Sequence, residues 1–356
     1  MQRDPHMLRT LVGGLSRIIW ILGFWVVCLL VFVGYTLMPK GSPAPELAKN
    51  LQAPGNSVKP VPGPVYWGPP EVASLEGVSE KEAVLYGKEL IVNTALFFGP
   101  KGKVKPGATN GMNCQNCHLD AGTRVFGNNY ASVFSTYPKY RARSGSKETM
   151  AKRVNDCFER SLNGQPLDTQ SREMKAILAY ITWLGKDVPK GQKAAGAGLV
   201  ELDWPEKAAD SLQGAVVYAS SCAVCHGKTG EGQWKPDHSG FIYPPLWGKE
   251  SYNVGAGLYR LSNFARYVKA NMPLGAKHDA PVLSDEEAWN LAAFVNSQMH
   301  PGMDLSKDWP KIEEKPVDHP FGPFADGFNE KQHKLGPFKP ILAKSKTKTK
   351  SPSTRS

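Results

Sequence analysis

The chain has 356 residues, 41% hydrophobic and 21% charged, which suits two modest domains with buried cores. Its net charge of +11 points to an anionic surface, partner or substrate, and six cysteines exclude a dense disulfide framework. The composition also excludes a wholly disordered chain, a collagen and a long coiled coil, and a single apolar run of spanning length excludes a multi-span transporter.

That run covers residues 18–38, 21 positions without a charge, preceded by Arg3, Arg9 and Arg17. It is long enough for a bilayer core of about 30 Å, and the arginines keep the N-terminus cytoplasmic. It exceeds the apolar region of a signal peptide and ends Leu37-Met38-Pro39-Lys40, which favours an uncleaved anchor over a cleaved leader. Cys28 reads as a small lipid-facing residue. Residues 39–78 are dense in proline and glycine and read as a spacer. The stretch from about Pro316 reads alike, ending in LAKSKTKTKSPSTRS as a basic disordered tail. Much of the net charge sits there, which weakens any nucleic-acid reading.

Two motifs organise the rest: Cys114-Gln-Asn-Cys117-His118 and Cys222-Ala-Val-Cys225-His226. In a CxxCH motif two thiols add across haem vinyl groups, and the histidine reaches the iron. Zinc is the rival, but it would draw on a second nearby CxxC or HxxxH, and neither motif has one. A redox dithiol would not need the histidine twice. Two covalently attached haem c groups are therefore predicted.

Each motif has similar helical surroundings. Ser79 to Glu82 reads as a capping box ahead of a helix, and Ser146 as the cap of a helix carrying Met150, Val154, Cys157, Phe158 and Leu162 on one stripe. Asn163-Gly164 stops it, and Ser171 opens a helix ending at Gly185. In the second half a helix over roughly 210–221 runs into Cys222, and residues 229–248 read as loop. Ser262 starts a further helix, and Ser284 to Glu287 forms another capping box. No alternating strand pattern is convincing. The order helix, CxxCH, loop, short helix, long helix occurs twice. It predicts an all-α fold, two class I cytochrome c-type domains in tandem preceded by a single transmembrane helix. The expected divisions are 1–38 tip and anchor, 39–78 linker, 79–195 first domain, 196–310 second domain and 311–356 C-terminal extension.

Each iron needs a sixth ligand or leaves an open site. In the second half Met272 stands out, because Pro273 keeps it out of helical geometry and thioether sulfur suits electron-transfer haems. Met299, Met303 and Lys269 are weaker rivals. In the first half the distinctive residue is Cys157, which reads either as a buried small hydrophobe or as a thiolate. Seven cations between Lys139 and Arg160 favour the thiolate and also suit a small oxyanion; Arg143 and Arg153 stand out among them.

These residues resemble the thiosulfate dehydrogenase family of periplasmic dihaem cytochromes c. The resemblance covers most of 79–310 and rests on NDCFERSLNG at 155–164, the 39-residue step from His118 to Cys157, SYNVGAGL at 251–258 and NMPLG at 271–275. The HKLGPFKP stretch near 333–340 also resembles that family's C-terminal end. It implies a catalytic first haem with His118 proximal and Cys157 distal. Arg143 and Arg153 then serve as active-site cations, with Ser161 the active-site serine. The second haem, with His226 and Met272, becomes the electron exit. A lysine before that methionine in some members is Asn271 here, and the anchor is a further departure.

The implied reaction joins two thiosulfates to tetrathionate and releases two electrons. Arginine forks match sulfonate oxygens, and a cationic pocket brings two dianions together. The resemblance also implies that Cys157 is a nucleophile that carries a sulfur adduct. The implied acceptor is a small cytochrome c or a membrane-bound oxidase, with the protein in the bacterial inner membrane and its domains in the periplasm. Tetrathionate reduction uses the same site. A non-catalytic membrane electron carrier and a sulfur-transferring cytochrome are the alternatives; no nucleic acid is expected.

Overall fold

Beyond a few residues near the N-terminus (Trp25, Val26, Cys28 and Leu29), the computed structural model describes residues 64–76 and 79–350. The expected anchor at 18–38 thus lies outside the described residues apart from those four. Among the described residues no helix is long and apolar enough to cross a membrane.

In the first half, helix α1 (Lys81–Val92) is followed by the short α2 (Thr94–Phe98). After the first CxxCH come the antiparallel strands β1 (Lys139–Arg141) and β2 (Ser146–Glu148), then α3 (Met150–Asp156). Helix α3 widens into a π-helical turn, Cys157–Ser161, and α4 (Arg172–Leu184) closes the half. The second half repeats the plan. Its parts are α5 (Ser211–Ser221), β3 (Gln233–Trp234) paired with β4 (Phe241–Tyr243), α6 (Leu261–Asn271) and α7 (Asp285–Val295).

The repeat is visible in its packing. Helix α1 lies across α4, and a Cβ on Gly87 would sit 2.0 Å from the Ala176 carbonyl oxygen. Helix α5 lies across α7, and a Cβ on Gly214 would sit 1.9 Å from the Asn290 carbonyl oxygen. Each crossing is close enough that only glycine fits. Leu90, Ile91, Phe158, Met174, Ile177 and Tyr180 fill the first core; Tyr218, Phe264, Trp289 and Leu291 belong to the second, and one hydrophobic cluster joins them.

Two expected caps form. The Ser171 hydroxyl accepts from the Met174 N–H, and Ser284 with Glu287 makes a reciprocal capping box. Three others differ. Helix α1 begins after Glu80 without a side-chain cap, so Ser79 does not cap it. Ser146 belongs to β2 and bonds Ser144, while Thr149 caps α3. Ser262 lies inside α6, and its hydroxyl and N–H both go to the Asp318 carboxylate. Such hydroxyls take whichever partner the tertiary fold offers.

Two further expectations are corrected. The fold is not wholly α: both halves carry a two-stranded ribbon too short to show alternation. Nor is the stretch from Pro316 an extended spacer, and the tail expected to be disordered at 342–356 is described only to Lys350, within a helix. Asp318 and His319 are buried, and α8 (Glu330–Leu335) and α9 (Lys339–Lys350) follow. Phe338 and Ile341 are fully buried, and the Phe338 ring lies 4.9 Å from that of Trp204. The end of the expected spacer packs as well, with Leu75 1% exposed and the Trp67 N–H bonded to the Ala195 carbonyl.

Candidate haem sites and an arginine-lined cavity

At the first motif the chain makes a tight turn from Cys114. The Cys114 N–H donates to the Thr94 hydroxyl at 2.9 Å. His118 Nδ1 lies 2.6 Å from the Asn128 carbonyl oxygen, which assigns its proton to Nδ1 and leaves Nε2 available to a metal. Tyr130 stacks on the imidazole at 4.5 Å. Burial lowers His118 to about 4 and pushes the Cys114 and Cys117 thiols up to about 12. The imidazole is therefore neutral at pH 7, as a metal ligand must be. The cavity beside these residues has a volume of about 180 Å³ and is lined by Ile91, Val133, Phe158 and Ile181.

The second motif has the same construction. His226 Nδ1 lies 2.8 Å from the Pro244 carbonyl oxygen, and burial lowers its pKa. The Tyr218 hydroxyl donates to Gly227 at 2.6 Å. Burial pushes the Cys222 thiol up to about 11. Met272 ends α6 in extended conformation and is half-buried against the core. Its rivals are otherwise engaged. Lys269 Nζ bonds the Leu283 carbonyl and the Asp285 carboxylate, each at 2.7 Å. Met299 is 78% exposed, and Met303 sulfur packs beside Gly255. Both donor sets, two thiols and a neutral imidazole with a free Nε2, fit covalent haem. Among the described residues no group of three or more His, Cys, Asp or Glu gathers as a zinc site would need.

Cys157 occupies the first position of the π-helical turn, a geometry often found at functional sites. It lines the apolar cavity of His118 and also an adjoining polar one. Five arginines line that second cavity: Arg141, Arg143, Arg153, Arg160 and Arg260, with Ser161 on its wall. Three of them face a dedicated carboxylate: Arg141 lies 3.9 Å from Glu148, Arg160 binds Asp308 through two bonds of 2.8 Å, and Arg260 binds Asp318 at 2.6 Å. Arg143 and Arg153 do not. Arg143 donates to the Gly255 carbonyl and lies 3.8 Å from the Asp308 already committed to Arg160. Burial and the Arg160 charge lower Arg143 to about 10, which leaves it cationic at neutral pH. Arg153 is raised, chiefly by Cys157 beside it. Trp309 backs Arg143: its ring centroid is 5.4 Å from the guanidinium carbon, and its backbone N–H donates to the Arg143 carbonyl at 2.7 Å.

The structure thus gathers Cys157, Arg143, Arg153 and Ser161 around one junction, and places Met272 at the end of α6. Sequence reasoning missed Asp308, Trp309, Arg260 and Asp318. The two acids and the tryptophan lie beyond the repeat in a segment without periodicity, and Arg260 looks like an ordinary helix-entry residue.

The SoxA/TsdA cytochrome c domain family matches residues 104–189, and the family of cbb3-type cytochrome c oxidase subunit III matches residues 209–295. A thiosulfate dehydrogenase of Stutzerimonas stutzeri is 36% identical over 67% of this chain and 74% of its own length. Another, from Allochromatium vinosum, is 39% identical over 54% of this chain and 71% of its own. The solved thiosulfate dehydrogenase (TsdBA) of Marichromatium purpuratum superposes with a TM-score of 0.62 at 31% identity, covering 74% of this chain. This chain spans 55% of that solved chain's length. Two cytochrome c domains therefore stand in tandem, each with one covalently bound c-type haem, and the chain belongs to the thiosulfate dehydrogenase family.

Proposed function

We propose that the chain oxidises two thiosulfates to tetrathionate and passes the two electrons through its two haems to an acceptor. The observation that supports this most is the place of Cys157, at the wall between a haem cavity and a cavity lined by five arginines. An electron carrier has no use for that second cavity. Two dianions about 5 Å apart repel by about 3 kcal/mol even at the dielectric constant of water, and more in a buried site. Fixed guanidinium groups offset this repulsion without reorganising.

In this reading His118 and Cys157 would hold the iron of the first haem, and His226 and Met272 would hold that of the second. Each haem, when bound, accepts one electron. Arg153 and Ser161 hold the sulfonate of one thiosulfate beside Cys157, and Arg143 offers a cation to the second. The Cys157 thiolate and the outer sulfur of that thiosulfate form a sulfur–sulfur bond and lose two electrons, leaving a cysteine S-thiosulfonate. The outer sulfur of a second thiosulfate then attacks this sulfur. A new sulfur–sulfur bond forms, the bond to Cys157 breaks, and the thiolate leaves with the electron pair as tetrathionate departs.

The domain limits we assign are 79–195 and 196–310. The apolar run at 18–38 serves as a single membrane span, with the haem domains on the periplasmic side of a bacterial inner membrane and a small cytochrome c or a membrane oxidase as acceptor. The supports are the length of the run and the arginines before it. Purified full-length protein assayed with thiosulfate and an artificial acceptor, and with tetrathionate and a reduced donor, tests the activity. Failure in both directions overturns it.

A further inference from the structure

We propose that the arginine-lined cavity has two anion positions and that Arg260, from the second half of the chain, binds the second, attacking thiosulfate. This rests on the reaction proposed above. That reaction needs two dianions at once. Arg153, half-buried beside Cys157, serves the one that bonds to the cysteine. The second half contributes Gly257, Leu258, Arg260 and Asn263, around the start of α6, to the lining of the same cavity.

Arg260 is built as a fixed donor. Its Nε and Nη2 both donate to one Asp318 oxygen, at 2.9 and 2.6 Å. The other oxygen of Asp318 accepts from the Ser262 N–H and hydroxyl at 3.0 and 2.5 Å. This carboxylate is fully buried, and Arg260 leads Ser262 among the partners that lower its pKa against desolvation. The arrangement locks the guanidinium plane and leaves Nη1 without a hydrogen bond among the described residues, on a side chain that lines the cavity. Arg143 supplies the uncompensated charge, because Asp308 is committed to Arg160. A sulfonate between Arg143 and Arg260 leaves its outer sulfur to approach Cys157. The electron-transfer domain thereby completes the substrate site of the catalytic one. The rival anion for Arg260 is a carboxylate of the first haem, and the test separates the two.

The test uses the full-length dihaem protein carrying Arg260→Gln. Because this leaves Asp318 buried without its cation, the double variant Arg260→Gln/Asp318→Asn accompanies it, and Arg260→Lys restores the charge without the fork. Turnover is measured against thiosulfate concentration. The oxidised protein is titrated with tetrathionate while the electron paramagnetic resonance of the first haem is followed. The half-saturating thiosulfate concentration should rise at least about tenfold, as for loss of a charge-assisted bond. Tetrathionate binding should weaken in parallel, with kcat and the resting spectrum unchanged and partial recovery in Arg260→Lys. A changed resting spectrum with wild-type anion dependence assigns Arg260 to the haem and overturns the proposal. Wild-type behaviour throughout overturns it as well. A wild type inactive toward thiosulfate would sink the functional reading, whereas the tetrathionate titration would still decide the role of Arg260.

Discussion

Arg160 and Asp308 meet through two parallel bonds of 2.8 Å, with side-chain exposures of 11% and 8%. They lie 148 positions apart, so this pair fastens the end of the second haem domain onto the π-helical turn of the first. Asp308→Ala leaves Arg160 buried and unpaired, which should cost about 3–5 kcal/mol of stability. Chemical denaturation of the dihaem protein measures it. A loss under about 1 kcal/mol would mean that solvent reaches the guanidinium.

Cys157 should separate its two roles by substitution. Cys157→Gly opens the first iron and should abolish thiosulfate oxidation. Cys157→Met can restore a sixth ligand but not the sulfur adduct, and it should be inactive too. Electron paramagnetic resonance alongside turnover reads both. Near-normal activity in the methionine variant reduces Cys157 to a ligand.

Met272→Leu should remove the thioether from the second haem and lower its potential, leaving the first haem's spectrum intact. A redox titration with magnetic circular dichroism reports this. Lys269 would need to leave both Leu283 and Asp285 to substitute, so an unchanged second haem would point to a ligand outside these candidates.

Gly87→Ala and Gly214→Ala should each destabilise, because the new methyl overlaps the main chain of the facing helix. Overpacking of this kind costs about 1–3 kcal/mol or more. Thermal melting checks the two halves separately if each variant's haem absorbance is followed. Equal stability would mean that the helices slide apart at no cost.

His319 gives the fold a pH dependence. Burial first, then Lys315, lowers it to about 4 from 6.5. The unfolded chain therefore binds a proton between those values that the folded chain refuses. Stability is retained above pH 6.5 and falls as the pH drops toward 4, by up to about 3 kcal/mol. In His319→Gln the stability should vary less over that window. An identical slope in both proteins would exclude His319 as the source.

The haem-binding plan was legible in the sequence because covalent attachment dictates spacing. Cys114, Cys117 and His118 must be adjacent, as must Cys222, Cys225 and His226. The end of α6 at Met272 was legible for a similar reason, since Pro273 forces a break. Cys157 and the cations around it stood out by residue type. What sequence could not show is how cations are divided between structure and chemistry. Arg160 and Arg143 look alike in the chain; only the position of Asp308 distinguishes the one it neutralises from the one it leaves charged. The π-helical turn is equally silent, because one extra residue in a helical turn leaves no mark on an apolar stripe. The Pro-rich stretch after Pro316 misled for the opposite reason. Its order comes from contacts of Asp318 and Phe338 with distant elements, and local composition does not record them.

Both CxxCH motifs precede Asp308 and Asp318 in the chain. During synthesis from the N-terminus, the residues that attach both haems emerge before the carboxylates that seat Arg160 and Arg260. A chain cut just after α7 keeps every attachment residue and both glycine crossings, yet its cavity lacks Trp309 and the two carboxylates that seat Arg160 and Arg260. Such a product would be red, carry two haems and pass a spectroscopic inspection while failing at chemistry. Haem content is therefore a poor measure of active enzyme in any preparation exposed to C-terminal proteolysis.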